Sequence, residues 1–221
     1  MNTPNGKTPS TSNMTFDIPY IPSDNNNYDD LIKSADTVAL YNTIILFIAA
    51  LEFTARGKES EAAAAANRLN SPMASLIRAI IENDTSLLTN HSEKPLFAKA
   101  WCTLAEPVAN RTSEKAAMKF AALAPIVDNH SALSTAADYF FNFKRWRPAA
   151  HIFNVLTADM TLSTADYLRK LGICRYSIKD YSGAAAAFIA AADKGDTSQE
   201  TLSYITWLEE KYTDTEANEN E

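Results

Sequence analysis

Residues Tyr167–Ala192 read YLRKLGICRYSIKDYSGAAAAFIAAA. The segment opens on an aliphatic, helix-forming run with one glycine, Gly172. Lys179-Asp180-Tyr181 breaks the run, and an alanine-rich stretch follows with a single large residue, Phe188. Ala184 and Phe188 stand four apart, one helical turn. Thirty-five residues upstream, Ala149 and Phe153 repeat that spacing, and thirty-three residues before them Ala116 and Phe120 repeat it again. The aromatic three residues ahead of the alanine recurs as Tyr181 and Trp146, with Ser113 breaking the series. An amphipathic helix precedes two of these anchors, Ala132–Phe143 before Ala149 and Ala165–Ser177 before Ala184. The unit is therefore an antiparallel helix pair of about 34 residues, a period typical of helical arrays.

One such pair cannot bury its apolar face, whereas stacked pairs can. The alanines are then contact points that let the second helix approach the first. Phe188 is the wedge between units, and Gly172 removes a side chain where helices touch. The expected fold is all-α, a solenoid of stacked antiparallel helix pairs.

The rest of the chain divides around this core. Residues 1–30 are expected to form a disordered arm rich in Asn, Ser, Thr and Pro, with IPYIPSDNNN, Ile18–Asn27, as its one sticky part. Residues 31–94 make an N-terminal helical region with a degenerate unit at Phe53, Gly57 and Ala62. In it a long helix spans Asp36–Thr54 and ends at Arg56-Gly57-Lys58. Ser60 caps a second helix through Leu69, and Ser71-Pro72 starts a third. Residues 95–212 carry the repeats, with Leu96–Asn110 and Thr112–Leu123 as a hairpin and Thr197–Tyr212 as a closing helix. Residues 213–221 are an acidic tail.

Composition narrows the function. The net charge of −7 disfavours nucleic acid and anionic membranes as partners. Lys144-Arg145-Trp146-Arg147 is the one basic cluster, but it falls at a turn between helices with Trp146 at a packing position, so its charges read as solvated. The longest uncharged run, TVALYNTIILFIAAL, is shorter than the ~20 residues a membrane span needs and reads as a buried helix. Cys102 and Cys174 form no C-x-x-C pair, and His91, His130 and His151 are scattered without metal-ligand spacing. His151 with Cys174 is the nearest approach to a catalytic pair and has no local motif behind it. The reading is a non-enzymatic protein without metal or cofactor, cytoplasmic because its cysteines look reduced and no apolar leader precedes the arm.

Leu168, Leu171-Gly172, Asp180-Tyr181, Ala184, Phe188 and Ala191 fall where the tetratricopeptide repeat has its signature residues, and the chain resembles that family. Ala149, Phe153, Leu156, Tyr167, Leu171, Gly172, Cys174, Tyr181, Ala184 and Phe188 are more narrowly similar to the core of chaperones for type III secretion translocators. Members of that group usually carry one further full repeat, where this chain has a single closing helix. The resemblance implies that the first helix of each pair lines a concave face holding a peptide. Carried over, the groove residues are Arg169, Ile173 and Tyr176, then Asp138 and Phe141, then Trp101. The implied partner is an apolar segment of a protein client, a secreted translocator, held before export in a bacterial cytosol as part of virulence. A scaffold bridging folded partners is the alternative. The Ile18–Pro22 arm is a candidate to dock on another copy's groove and give a homodimer.

Overall fold

The structure, a computed structural model, describes residues 39–69, 73–88, 94–159 and 161–218. These form ten α-helices joined by short turns, with no strand among the described residues. They are α1 (Ala39–Ala55), α2 (Glu59–Ala66), α3 (Met73–Glu82), α4 (Lys94–Arg111), α5 (Glu114–Ala121), α6 (His130–Asn142), α7 (Trp146–Ala158), α8 (Ala165–Ser177), α9 (Tyr181–Asp193) and α10 (Gln199–Asn218). Short 3-10 turns lie at Thr85–Leu88 and Ala124–Ile126. The Ile18–Pro22 arm, Ser71-Pro72 and His91 lie outside the described residues.

Every residue from Ile45 to Ala55 is buried. A helix apolar on all sides needs neighbours on all sides, and α1 has them, with α2, α3, α4 and α5 packed around it. No helix among the described residues is long and apolar enough to cross a membrane. Glu52 is the buried exception. Its carboxylate accepts hydrogen bonds from the backbone N–H of Ser113 and, at 3.1 Å, from the Ser113 hydroxyl, and Arg56 lies 3.8 Å away. A charge buried in an apolar helix thus finds its partners at the N-terminus of α5, where orphan N–H groups await an acceptor.

From α4 onward the helices pack mainly on their sequence neighbours, α6 on α7, α7 on α8, α8 on α9 and α9 on α10, while α4 also packs along α6 and α5 along α7. The all-α helical-repeat expectation is the observed architecture. Phe120, Phe153 and Phe188 are all fully buried, as are Ala116, Ala149 and Ala184. The fit at Gly172 is close enough that a Cβ there would lie 2.7 Å from the Phe188 ring, which stacks on Tyr204 at 4.6 Å. The α4–α5 pair is spaced differently. Trp101 lies between the two helices, stacked on Phe120 at 5.2 Å, and its indole N–H donates to the Phe120 carbonyl at 3.3 Å.

The turns repeat as well. After α1, α3, α6, α8 and α9 the chain enters the left-handed region at Gly57 (φ 74°), Asn83 (50°), Lys144 (57°), Lys179 (67°) and Gly195 (94°). The residue after each donates back across the helix end, Arg145 to Phe140 at 2.8 Å and Asp180 to Arg175 at 2.9 Å, for example. This is the common glycine-type helix stop, with lysine in place of glycine at two of five sites and asparagine at a third.

Some boundaries differ from expectation. Lys58, not Ser60, stands at the start of α2, which ends at Ala66, and it offers no side-chain cap. With Glu59 and Glu61 favourable in the first turn, the helix begins before the serine. Side-chain caps come instead from Ser113, Asn129, Thr164 and Asp180. Helix α10 continues to Asn218, past the tail boundary expected at residue 213, because nothing in TDTEAN breaks a helix.

Candidate binding groove

Helices α4, α6, α8 and α10 are the first helices of successive units and share one face. Its C-terminal half is closed. Between α6 and α8 the Tyr167 hydroxyl bonds the Ser134 hydroxyl at 3.0 Å, and the Lys170 ammonium bonds Asp138 at 2.8 Å and Asp166 at 2.9 Å. Between α8 and α10 the Arg169 guanidinium reaches Asp166 at 2.6 Å, Glu200 at 3.0 Å and Asp196 at 3.8 Å. Tyr176 packs edge-on against Tyr204 at 4.9 Å and Trp207 at 5.2 Å, and Ile173 joins the same cluster.

Five of the six expected groove residues are therefore engaged with neighbouring structure, and the sixth is in the core. Trp101 is fully buried and takes no part in a surface groove. Phe141 is half-buried against Trp146 at 5.6 Å and Phe153 at 6.2 Å, which places it between α6 and α7. Asp138 is an ion-pair partner of Lys170. Arg169, Ile173 and Tyr176 sit under α10. Sequence spacing alone puts these positions on the right helices. It cannot register that the closing helix lies over the last of them.

The open part of the face lies upstream, between α4 and α6. There a groove of about 540 Å³ is lined by Ala98, Cys102 and Glu106 on α4 and by Ala132, Thr135 and Tyr139 on α6. Residues 98, 102 and 106 are spaced one turn apart, as are 132, 135 and 139, and Pro95, Lys99 and Thr103 add a second row on α4. Small side chains at 98, 102, 132 and 135 hold the floor open. The polar groups are arranged in pairs across it. Burial, the neighbouring Glu106 and Cys102 charges, and a hydrogen bond to Glu106 all raise the Tyr139 phenol, which stays protonated and donates to the carboxylate. Burial raises the Cys102 thiol, only partly offset by a hydrogen bond with Thr135. The signal for these positions was present one residue along from those chosen, at Cys102 beside Trp101 and at Tyr139 beside Asp138.

Both thiols are held protonated and therefore poor nucleophiles. Burial pushes Cys174 up to about 12. No group of three His, Cys, Asp or Glu side chains among the described residues could hold a metal ion. His130 packs against Tyr167 at 5.6 Å.

The basic cluster at 144–147 is split by the structure. Arg145 is not solvated. It donates to the carbonyls of Ala109 at 2.9 Å and Thr112 at 2.7 Å and pairs with Glu114 at 3.9 Å, tying the start of α7 to the end of α4. Lys144 and Arg147 are exposed.

A scan against protein-family models finds no match, and no curated protein or solved structure matches the chain either.

Proposed function

We propose that this chain is a tetratricopeptide-type binding protein that holds an apolar segment of a client protein in the α4–α6 groove, acting as a chaperone in the manner of those that serve type III secretion. The single observation that carries the reading is the open groove itself. On a face otherwise tied shut by side-chain bridges, α4 and α6 leave about 540 Å³ lined by small residues with hydrogen-bonding groups at the rim. A lining that mixes small apolar residues with polar ones such as Lys99, Glu106 and Asn129 suits an extended or helical peptide with a few apolar anchors among polar residues. Tyr139 donates to the Glu106 carboxylate, and Lys99 and Glu106 place one charge of each sign on the groove lining.

The test is co-expression with proteins encoded beside this chain. One otherwise insoluble neighbour is expected to become soluble and to co-purify. Thr135 is exposed at the groove mouth, so Thr135→Arg places a charged side chain across it without disturbing the core. That variant is expected to lose the client while keeping its helical circular dichroism. Client retention by a folded Thr135→Arg protein would remove the groove from the account. Co-purification of neighbours that are soluble by themselves would favour a scaffold.

A further inference from the structure

A second cavity, of about 390 Å³, lies at the end of the molecule where two equivalent turns sit side by side. Lys144, Trp146 and Arg147 line it from the α6–α7 turn, and Ile178 and Lys179 from the α8–α9 turn. Glu114 also lines it but is paired with Arg145. Lys144, Arg147 and Lys179 are exposed and form no ion pair with any described residue. In a chain of net charge −7, this cavity gathers three cations around one carboxylate, Glu114, which already pairs with Arg145. Both lysines occupy left-handed turn positions where lysine costs about 1 kcal/mol relative to glycine. At the matching turns that do not border this cavity the residue is glycine twice and asparagine once, at Asn83. Lysine thus stands at the two of these turns that share a cavity, where its side chain offsets the backbone cost only if it does something there.

The chain itself carries the complementary charge to the same place. Phe188 meets Tyr204, and Tyr181 meets Trp207 at 5.7 Å, so α10 runs antiparallel to α9 and heads toward the α8–α9 turn. Trp207 touches Tyr176 and Tyr181, which flank Lys179. Beyond Trp207 the sequence is LEEKYTDTEANENE, with Asp214, Glu216, Glu219 and Glu221 near its end. Fourteen residues span about 20 Å as helix and over 40 Å extended, enough to cross one cavity. Carboxylates at a helix C-terminus oppose the helix dipole, and the last turn of α10 has no basic residue.

We propose that the basic cavity formed by Lys144, Arg147 and Lys179 is a docking site for an acidic peptide segment, and that its resident occupant is the acidic C-terminal segment of the same chain. Trp146 and Ile178 supply an apolar floor beneath the charges. Occupation in cis is favoured by the short tether, which gives the segment a high effective concentration. The contact weakens as salt shortens the reach of charge.

Zero-length carbodiimide cross-linking of the full chain, read by mass spectrometry, tests this. At low salt, links from Lys144 and Lys179 to Asp214, Glu216, Glu219 or Glu221 are expected within monomers, roughly tenfold above links from Lys58 or Lys99 to the same carboxylates. They are expected to fade in 0.5 M salt, where screening is within ~4 Å. Equal yields at all four lysines, or insensitivity to salt, would overturn the proposal. Links confined to covalent dimers would replace the cis occupant by a second copy and overturn it in this form. Thr135→Arg leaves this readout unchanged, so the result stands or falls apart from the client groove.

Discussion

The same helix face is open between α4 and α6 and closed between α8 and α10. Both places use first helices of neighbouring units at matching positions. At the open end the facing side chains are Ala98, Cys102, Ala132 and Thr135, small enough to leave a groove between the helices. At the closed end they are Arg169, Ile173 and Tyr176, met by Glu200, Tyr204 and Trp207. A repeat position is thus a groove residue or a packing residue according to what the next unit presents to it. The closing helix does for the end of the array what a further unit would do, and uses up the surface that would otherwise bind.

The comparison can be broken most sharply at Trp101. If it is core, Trp101→Ala should cost about 3–5 kcal/mol in a urea melt. A loss below 1 kcal/mol together with loss of client would return it to the groove. Tyr176→Ala should cost about 2–3 kcal/mol, since three aromatic contacts go at once, and amides of α10 should show faster hydrogen exchange than those of α6. Loss of client binding with α10 protection intact would mean that the closed half of the face is not closed in solution. Gly172→Ala gains about 1 kcal/mol of helix propensity but sets a methyl 2.7 Å from a Phe188 ring pinned on Tyr204. Overpacking of this kind costs about 1–3 kcal/mol, so a net loss of about 1 kcal/mol is expected from denaturation curves. Stabilisation would show that Phe188 has room to move.

The smallest effect concerns the ionic ties. Burial raises the Asp166 carboxyl, but hydrogen bonds from Lys170 and Arg169 outweigh it and hold the group below its usual range. A lowered carboxyl stabilises the fold above its unfolded pKa of ~3.9 and loses that contribution as pH falls through the lower folded value. Asp166 is largely exposed, so screening limits this to less than about 1 kcal/mol. Asp166→Asn should be slightly less stable than the parent at pH 7, and the gap should close as pH falls through the lowered folded-state value. A gap that persisted in acid would assign its role to packing.

Much of the fold was readable because small and large residues recur at helical spacing. Ala184 and Phe188, Ala149 and Phe153, and Ala116 and Phe120 are buried pairs in helices that the periodicity placed to within a few residues. The α8 boundaries matched, since Thr164 and Lys179 punctuate the helix with a cap and a stop. The groove was less readable. Its position depends on which side chains across two helices fail to touch, and no single segment encodes that. Glu52 shows the same limit. In sequence it ends an apolar run, and only the fold brings Ser113, sixty-one residues away, to its carboxylate.

By itself the sequence determined that the chain is helical, that its units pair through small residues, and that α1 must be enclosed. Those follow from local propensity and from the periodicity of apolar side chains, which act over one or two turns. Tertiary structure decided that Trp101 is core, that α10 closes the C-terminal half of the shared face, that Arg145 is a tie rather than a free charge, and that the basic turns meet at one cavity. Each of these depends on distances between residues about thirty or more positions apart or on a neighbour's size. Close packing fixes such distances for the array as a whole and not for any one segment.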